Sequence, residues 1–243
     1  MFPFHPHIDM QKTTLVTGAG SGIGRALCKE MAGRGNIVYA VSRNKERLES
    51  LVRECSAGMV HAVPADLSTE EGVAAVEAAV RVRSSRLDVL VNCAGKLVRK
   101  PFADVNWSDW EEVYRTNVFG PAMLIRLLEP LMRRESGHAH VVNISSMGGV
   151  QGSVKFAGLS AYSSSKAALC GLTECLAEEF RGSGIRVNAL AIGSVSTEMF
   201  GEAFPGAEAA TTPGRMAVFM ADFALSGDDL FNGKVIQVSS STP

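Results

Sequence analysis

Hydrophobic positions in this chain come in blocks. Apolar runs rich in β-branched residues read as buried strands at Thr13–Thr17 (TTLVT), 36–41 (NIVYAV), 59–67 (MVHAVPADL), 87–95 (LDVLVNCAG), Ala139–Ser146 (AHVVNISS), 184–193 (GIRVNALAIG) and 233–239 (GKVIQVS). Between them the pattern changes to helical spacing. It does so in the glycine-led stretch 18–35, in 44–55 (NKERLESLVREC), 69–85 (TEEGVAAVEAAVRVRSS) and 107–134, and in 162–180 (YSSSKAALCGLTECLAEEF) and 216–225 (MAVFMADFAL). The stretch 107–134 reads as one long helix despite Pro121 and Pro130. Seven strands alternating with about six helices predict an α/β fold: a Rossmann-type, doubly wound parallel sheet with helices on both faces. No repeat, linker or low-complexity tract divides the chain, so residues 1–243 are expected to form a single domain. The segment 201–212, rich in Gly, Ala, Pro and Thr, reads as a lid over a cleft.

Composition narrows the class. The chain has 243 residues, 46% of them hydrophobic, with a formal net charge of −1, which offers no electrostatic footprint for nucleic acid. No apolar run reaches the length of a membrane span. The leading residues MFPFHPHIDMQK lack the basic start and apolar stretch of a signal peptide. Five dispersed cysteines without C-x-x-C spacing fit reduced thiols better than a disulfide framework, and no metal site is read from them. The expectation is a cytoplasmic protein with no nucleic-acid or membrane partner.

The chemistry-bearing motifs sit at strand ends. After the first strand, GAGSGIG gives G-x-x-x-G-x-G with Gly18, Gly22 and Gly24, opening a helix whose N-terminus favours a pyrophosphate; Thr17, Ser21 and Ile23 belong to the same turn. The second strand ends in Ser42-Arg43, where NAD enzymes usually place an acid for the ribose 2′-hydroxyl. A guanidinium there accepts a 2′-phosphate in bidentate fashion, which points to NADP(H) over NAD(H), unless Arg43 only solvates the next helix. Asp66-Leu67 ends the third strand, where the carboxylate either accepts from an adenine amine or caps the helix near Ser68-Thr69, the two roles being compatible if Ser68 is the cap. Asn92, Ala94 and Gly95 emerge from the fourth. Tyr162 and Lys166, four apart, share one helical face, and an ammonium beside a phenol lowers its pKa toward the range of a general acid or base. Ser145 and Ser146 close the strand upstream, placed to hold a substrate oxygen. Asn117 lies on an apolar part of its helix, where its amide must find partners.

In this order and spacing the motifs resemble the short-chain dehydrogenase/reductase family, in its single-domain branch, over nearly the whole chain. Thr17 to Gly24 is similar to that family's T-G-x-x-x-G-x-G turn, and Asn92-Cys93-Ala94-Gly95 to its N-N-A-G with Cys93 replacing an Asn. Asn117, Ser146, Tyr162 and Lys166 match its tetrad; the choice of Ser146 over Ser145 rests on that pattern. The resemblance implies hydride transfer between a nicotinamide and a small or apolar carbonyl or alcohol substrate. Tyr162 would move the proton, Ser146 hold the oxygen, Lys166 lower the tyrosine pKa and reach the ribose, and Asn117 keep a water against Lys166. Gly193 and Thr197 would contact the carboxamide, and the protein would be a homodimer or homotetramer.

Two departures stand out. Ile192-Gly193 replaces the family's Pro-Gly, and the interval from Ser146 to Tyr162 is longer than usual, so a surplus around Val154-Lys155-Phe156 must bulge beside the cleft. Phe156, Leu159, Met199, Phe200 and Phe204 are candidates to line an apolar cleft. Two other readings remain open. One is a cofactor-binding regulator without turnover, although such proteins commonly lose the Tyr or Lys. The other is a nucleotide-sugar epimerase or dehydratase, although those relatives usually carry an added C-terminal region.

Overall fold

Every apolar run becomes a parallel strand, and the strand residues are mostly buried because helices cover both faces of the sheet. In the structure, a computed structural model describing residues 11–240, these are β1 (Thr13–Thr17), β2 (Ile37–Ser42), β3 (Val60–Pro64), β4 (Val89–Asn92), β5 (Ala139–Ser146), β6 (Ile185–Ile192) and β7 (Val235–Val238). They form one sheet in the order β3-β2-β1-β4-β5-β6-β7, with every pair parallel. This is the predicted doubly wound, Rossmann-type architecture. Of the leading residues read for a targeting signal, 1–10 lie outside the described range.

Alternation along each strand feeds two cores. Val16, Val38 and Ala40 face one cluster, with Leu27 and Met31 of α1 (Gly22–Gly33), Leu48 and Leu51 of α2 (Lys45–Glu54), and Met216 and Met220 of α8 (Pro213–Ser226). Leu15, Tyr39 and Val41 face the other, with Val76 of α3 (Glu70–Arg81), Leu124 and Leu128 of α5 (Gly120–Met132), and Ala177 of α6 (Ser160–Glu179). The remaining helices are α4 (Trp107–Tyr114) and α7 (Glu198–Ala203). Among the described residues, no helix is long and apolar enough to cross a membrane.

Two local readings need correction. The stretch expected as one helix is α4 and α5 joined by a π-helical turn over Arg115–Phe119. Pro121 has no N–H to give the carbonyl four residues earlier, which belongs to Asn117, so the regular ladder is interrupted there. The cap of α3 is neither Asp66 nor Ser68. Thr69 accepts from the Gly72 N–H at 3.0 Å, while Asp66 Oδ1 accepts from the Ser68 N–H and hydroxyl at 3.0 and 2.8 Å. The expected lid begins with the last turn of α7 and continues as irregular chain to Thr212, which caps α8.

The first turn of α3 lies directly on the chain after β3. A Cβ on Gly72 would stand 1.9 Å from the Asp66 carbonyl oxygen. Helix propensity alone favours Gly72→Ala by about 1 kcal/mol. Because the backbone it meets cannot move aside cheaply, we expect the opposite sign, a loss of about 2 kcal/mol or more in urea unfolding. A stabilised variant would show that this close approach does not exist.

Candidate functional site

β1 lies between β2 and β4, and its two neighbours are reached by connections that leave in opposite directions. The crevice at the carboxyl ends of the strands beside such a switch point is where open α/β sheets bind ligands. Here it holds a cavity of about 440 Å³. One wall is the glycine turn and the start of α1: Gly18, Ser21, Gly22, Ile23 and Gly24. Gly18 has φ +72°, and a Cβ there would lie 2.9 Å from the Ala94 backbone, so only glycine lets the turn pass so close to the chain leaving β4. Ser42, Arg43, Asp66 and Leu67 line the end beyond β2 and β3; Ala94, Gly95, Tyr162, Lys166 and Thr197 line the other.

Asn44, not Arg43, caps α2, accepting from the Arg47 N–H at 2.7 Å. Arg43 is exposed and, among the described residues, stands in no ion pair. Burial pulls the Asp66 carboxyl upward, but the bonds from Ser68 and the Arg43 charge hold it below its ordinary value.

Five predicted residues stand behind the cavity wall. Thr17 Oγ1 accepts from the N–H groups of Cys93 and Ala94 at 3.0 and 2.9 Å, fastening the β4 exit to the glycine turn. Asn92 is buried and donates to Asn143 Oδ1 at 2.8 Å, and Asn143 in turn donates to Thr173 of α6 at 2.9 Å. The Gly193 N–H is spent on the Val238 carbonyl at 2.9 Å, extending the β6–β7 pairing, whereas Ile192 beside it does line the cavity. Asn117 is fully buried in the π turn. Its Oδ1 accepts from the Lys96 N–H at 2.7 Å, and its Nδ2 donates to the Lys96 carbonyl and to Ser165 Oγ, each at 2.9 Å. Both amide hydrogens of Asn117 are thus engaged, while a Cβ on Gly95 would stand 3.7 Å from both Asn117 Oδ1 and Lys166 Nζ, so the oxygen's second lone pair stays near the lysine. Pro121 removes the i+4 donor from the Asn117 main-chain carbonyl.

The fifth is Ser146, which the structure separates from Ser145. Ser145 is buried; its hydroxyl donates to the Lys166 carbonyl at 2.9 Å and receives Cys170 Sγ at 3.2 Å. Ser146 is less buried, accepts from the Gly148 N–H at 3.2 Å and is hydrogen-bonded to Tyr162. It is therefore Ser146 that reaches the phenol.

The charge relation expected inside the Tyr–Lys pair differs. Lys166 is only 4% exposed, and its ammonium donates to the Ile144 carbonyl at 2.8 Å, 5.9 Å from the Tyr162 ring centroid. Burial brings the Lys166 pKa down to about 8, since a charged form is disfavoured there. The phenol is not lowered: burial pushes it above its usual value, and the Ser146 hydrogen bond only partly offsets this. The cavity also takes in Lys96, Thr116, Arg47 and Glu198, which sequence reasoning did not assign. Arg47 lies one helical turn beyond Arg43, and that i, i+4 repeat of guanidinium groups was the signal available.

Beyond Tyr162, the surplus segment does bulge. Val154 and Phe156 are about half exposed, and Phe156 meets Phe204 edge to face with centroids 5.3 Å apart. Phe200 also packs on Phe204, and Arg99 lies over its ring while donating to the Ala203 carbonyl. Of the proposed apolar lining, only Met199 borders this cavity.

The family model described as short chain dehydrogenase matches residues 12–208. The chain is 37% identical over 193 residues to a short chain dehydrogenase of Pseudocercospora fijiensis; the match covers 77% of this chain and 61% of that protein, less than two thirds of its length. Among solved structures it resembles the Pseudomonas aeruginosa RhlG/NADP active-site complex, with 28% identity, a TM-score of 0.86, and 98% of this chain and 99% of that one covered. It also resembles the 3-ketoacyl-(acyl-carrier-protein) reductase from Brucella melitensis complexed with NADH, with 29% identity, a TM-score of 0.81, and coverage of 93% and 96%.

The buried lysine has a consequence for stability. Between about pH 8 and 10.5 the unfolded chain holds a proton at Lys166 that the folded chain has released. Stability therefore rises with pH through that window relative to Lys166→Met. Urea unfolding of both proteins from pH 7.5 to 9.5 tests this; parallel pH profiles would place the ammonium in water.

Proposed function

This chain belongs to the short-chain dehydrogenase family, and on that premise we propose that it is an NADP(H)-dependent carbonyl reductase or alcohol dehydrogenase acting on a small or apolar ketone or alcohol. The observation that carries the reading is that Tyr162, which Ser146 backs from behind the wall, and Lys166 line one end of a cavity whose other end is the glycine turn and helix N-terminus. That elongated cavity fits a dinucleotide. Its pyrophosphate would lie on the N-terminus of α1, its adenosine toward Ser42, Arg43 and Asp66, and its nicotinamide ribose toward Tyr162 and Lys166. When bound, the nicotinamide supplies or accepts the hydride.

Ser146 holds the substrate oxygen while Tyr162 gives it a proton. Burial keeps the phenol protonated at neutral pH, the form needed for reduction. Lys166, titrating near pH 8, is the group that can restore the proton. The carbonyl of Asn117 is the acceptor that would hold a water between Lys166 and solvent. A regulator without turnover would have no use for these groups together.

The remaining features of the reading are a single nucleotide-binding domain, a cytoplasmic setting consistent with five free cysteines, and a homodimer or homotetramer. The last is supported by Phe102, Trp107, Phe119 and Met123, which are 40–80% exposed in the stretch from just before α4 into α5.

Tyr162→Phe removes the proton donor and keeps the ring. Turnover should fall by about two orders of magnitude or more with NADPH binding nearly unchanged, in an assay of NADPH consumption against ketones, ketoacyl thioesters and keto-sugars. Near-normal turnover would sink the mechanism.

For the cofactor, a charge-assisted contact from Arg43 is worth about 1.5–3 kcal/mol, so NADPH should bind about ten- to a hundredfold tighter than NADH. The double substitution Ser42→Asp with Arg43→Ala should reverse the order, and salt should weaken NADPH binding more than NADH binding. Equal affinities in the unaltered protein would mean that Arg43 merely faces solvent.

A further inference from the structure

Arg47 and Glu198 face each other across the rim of the cavity. Nη1 and Nη2 of Arg47, in the first turn of α2, pair with Oε2 and Oε1 of Glu198, the first residue of α7, at 3.0 and 3.3 Å. Both residues line the cavity. This fork-on-carboxylate geometry is the one a guanidinium also uses for phosphate. Arg47 lies at the Ser42 end: a Cβ placed on Gly20 would be 2.6 Å from Ser42 Oγ and 3.8 Å from Arg47 Cβ. Glu198 belongs to the other side. Thr197, which caps α7, lies against the glycine turn, with Cγ2 3.2 Å from where a Gly22 Cβ would be. The pair therefore spans from the start of α2 to the helix that begins the lid.

We propose that Glu198 is a specificity-determining residue, whose carboxylate competes with the cofactor's 2′-phosphate for the Arg47 guanidinium. Arg43 contributes one cation to that end of the cavity and Arg47 a second. The second is shared, because α7 carries an anion that already engages it. A dinucleotide without the phosphate leaves the Arg47–Glu198 pair intact, and α7 stays strapped to α2. One with the phosphate draws Arg47 to itself and frees Glu198 and the start of the lid. The pair suits such an exchange: its side chains are 48% and 65% exposed, and ion pairs that wet are weak enough to be replaced by a dianion. Glu198 thus tempers the preference for NADPH that Arg43 creates, and it links the cofactor's identity to the element beside the substrate.

This inference rests on the dinucleotide reading above, and the test separates the two. Equilibrium titrations of NADPH and NADH are made on the unaltered protein, Glu198→Gln, Arg47→Gln, the double variant and Glu202→Gln, which removes one charge from the same helix. Releasing an exposed ion pair should raise the NADPH-to-NADH affinity ratio about two- to fivefold in Glu198→Gln. Arg47→Gln should lower the ratio about tenfold, and in that background Glu198→Gln should have no further effect on it. Glu202→Gln should leave the ratio where it was. A ratio that rises equally in Glu202→Gln, or that rises for Glu198→Gln even without Arg47, would reduce the effect to general charge and overturn the competition. So would an unchanged ratio in Glu198→Gln. Failure of either dinucleotide to bind the unaltered protein would instead overturn the proposed function, and this inference with it.

Discussion

An ammonium buried as deeply as that of Lys166 must be partnered or neutral, and it has one protein acceptor, the Ile144 carbonyl near the carboxyl end of β5. That requirement fixes α6 against the strand, and the site follows from it. Ser145, next along the strand, donates back to the Lys166 carbonyl, so strand and helix are tied in both directions. The turn after β5 is held equally close, since a Cβ on Gly149 would meet the Lys166 backbone at 2.7 Å. With strand, turn and helix locked in this register, Ser146 can only point beside Tyr162. The Asn92–Asn143–Thr173 chain of buried amides and hydroxyl extends the same registration to β4.

A second set of contacts carries the constraint outward. Asn117 grips both backbone groups of Lys96 and also Ser165, whose hydroxyl donates to the Tyr162 carbonyl at 2.7 Å. The π turn that displays Asn117 is an irregularity set by Pro121. It joins the loop leaving β4 to the helix bearing the phenol. Removing a side chain from this network would leave a buried amide or hydroxyl without a partner, which is costly in a region of low dielectric. The positions of the acid–base groups are thus set by buried polar contacts as well as by apolar packing.

The strands, their parallel doubly wound class and most of the cavity were legible in the sequence because they depend on local pattern: apolar runs, a glycine turn opening a helix, and hydroxyl or basic residues just past strand ends. What was not legible depends on which way a side chain turns once neighbours arrive. Thr17, Asn92 and the Asn117 amide belong to the site by position, yet their polar atoms serve the scaffold, because each was nearer to an unpaired backbone group or side-chain oxygen than to the cavity. The Tyr162 pKa was misjudged for a related reason. Helical spacing brings the ammonium to the same face as the phenol, but not into contact with it, and burial then outweighs a charge that is spent elsewhere. Arg47 and Glu198, 151 residues apart, could be joined only by the fold.

The cavity and the flank beyond Tyr162 are built under different constraints. The cavity walls formed by the glycine turn and by α6 are fixed by backbone approaches of under 3 Å and by buried polar bonds, so little can change there without loss of the fold. The side beyond Tyr162 is held by partly exposed aromatic contacts, Phe156 on Phe204 and Phe200 on Phe204, and by Arg99 stacked across them. Such contacts tolerate insertion, because each contributes only about 0.5–1.5 kcal/mol and none leaves a buried polar group behind. The surplus residues between Ser146 and Tyr162 fall on that tolerant side. A longer segment is thus accommodated beside the cleft without disturbing the buried contacts that hold Tyr162 and Lys166.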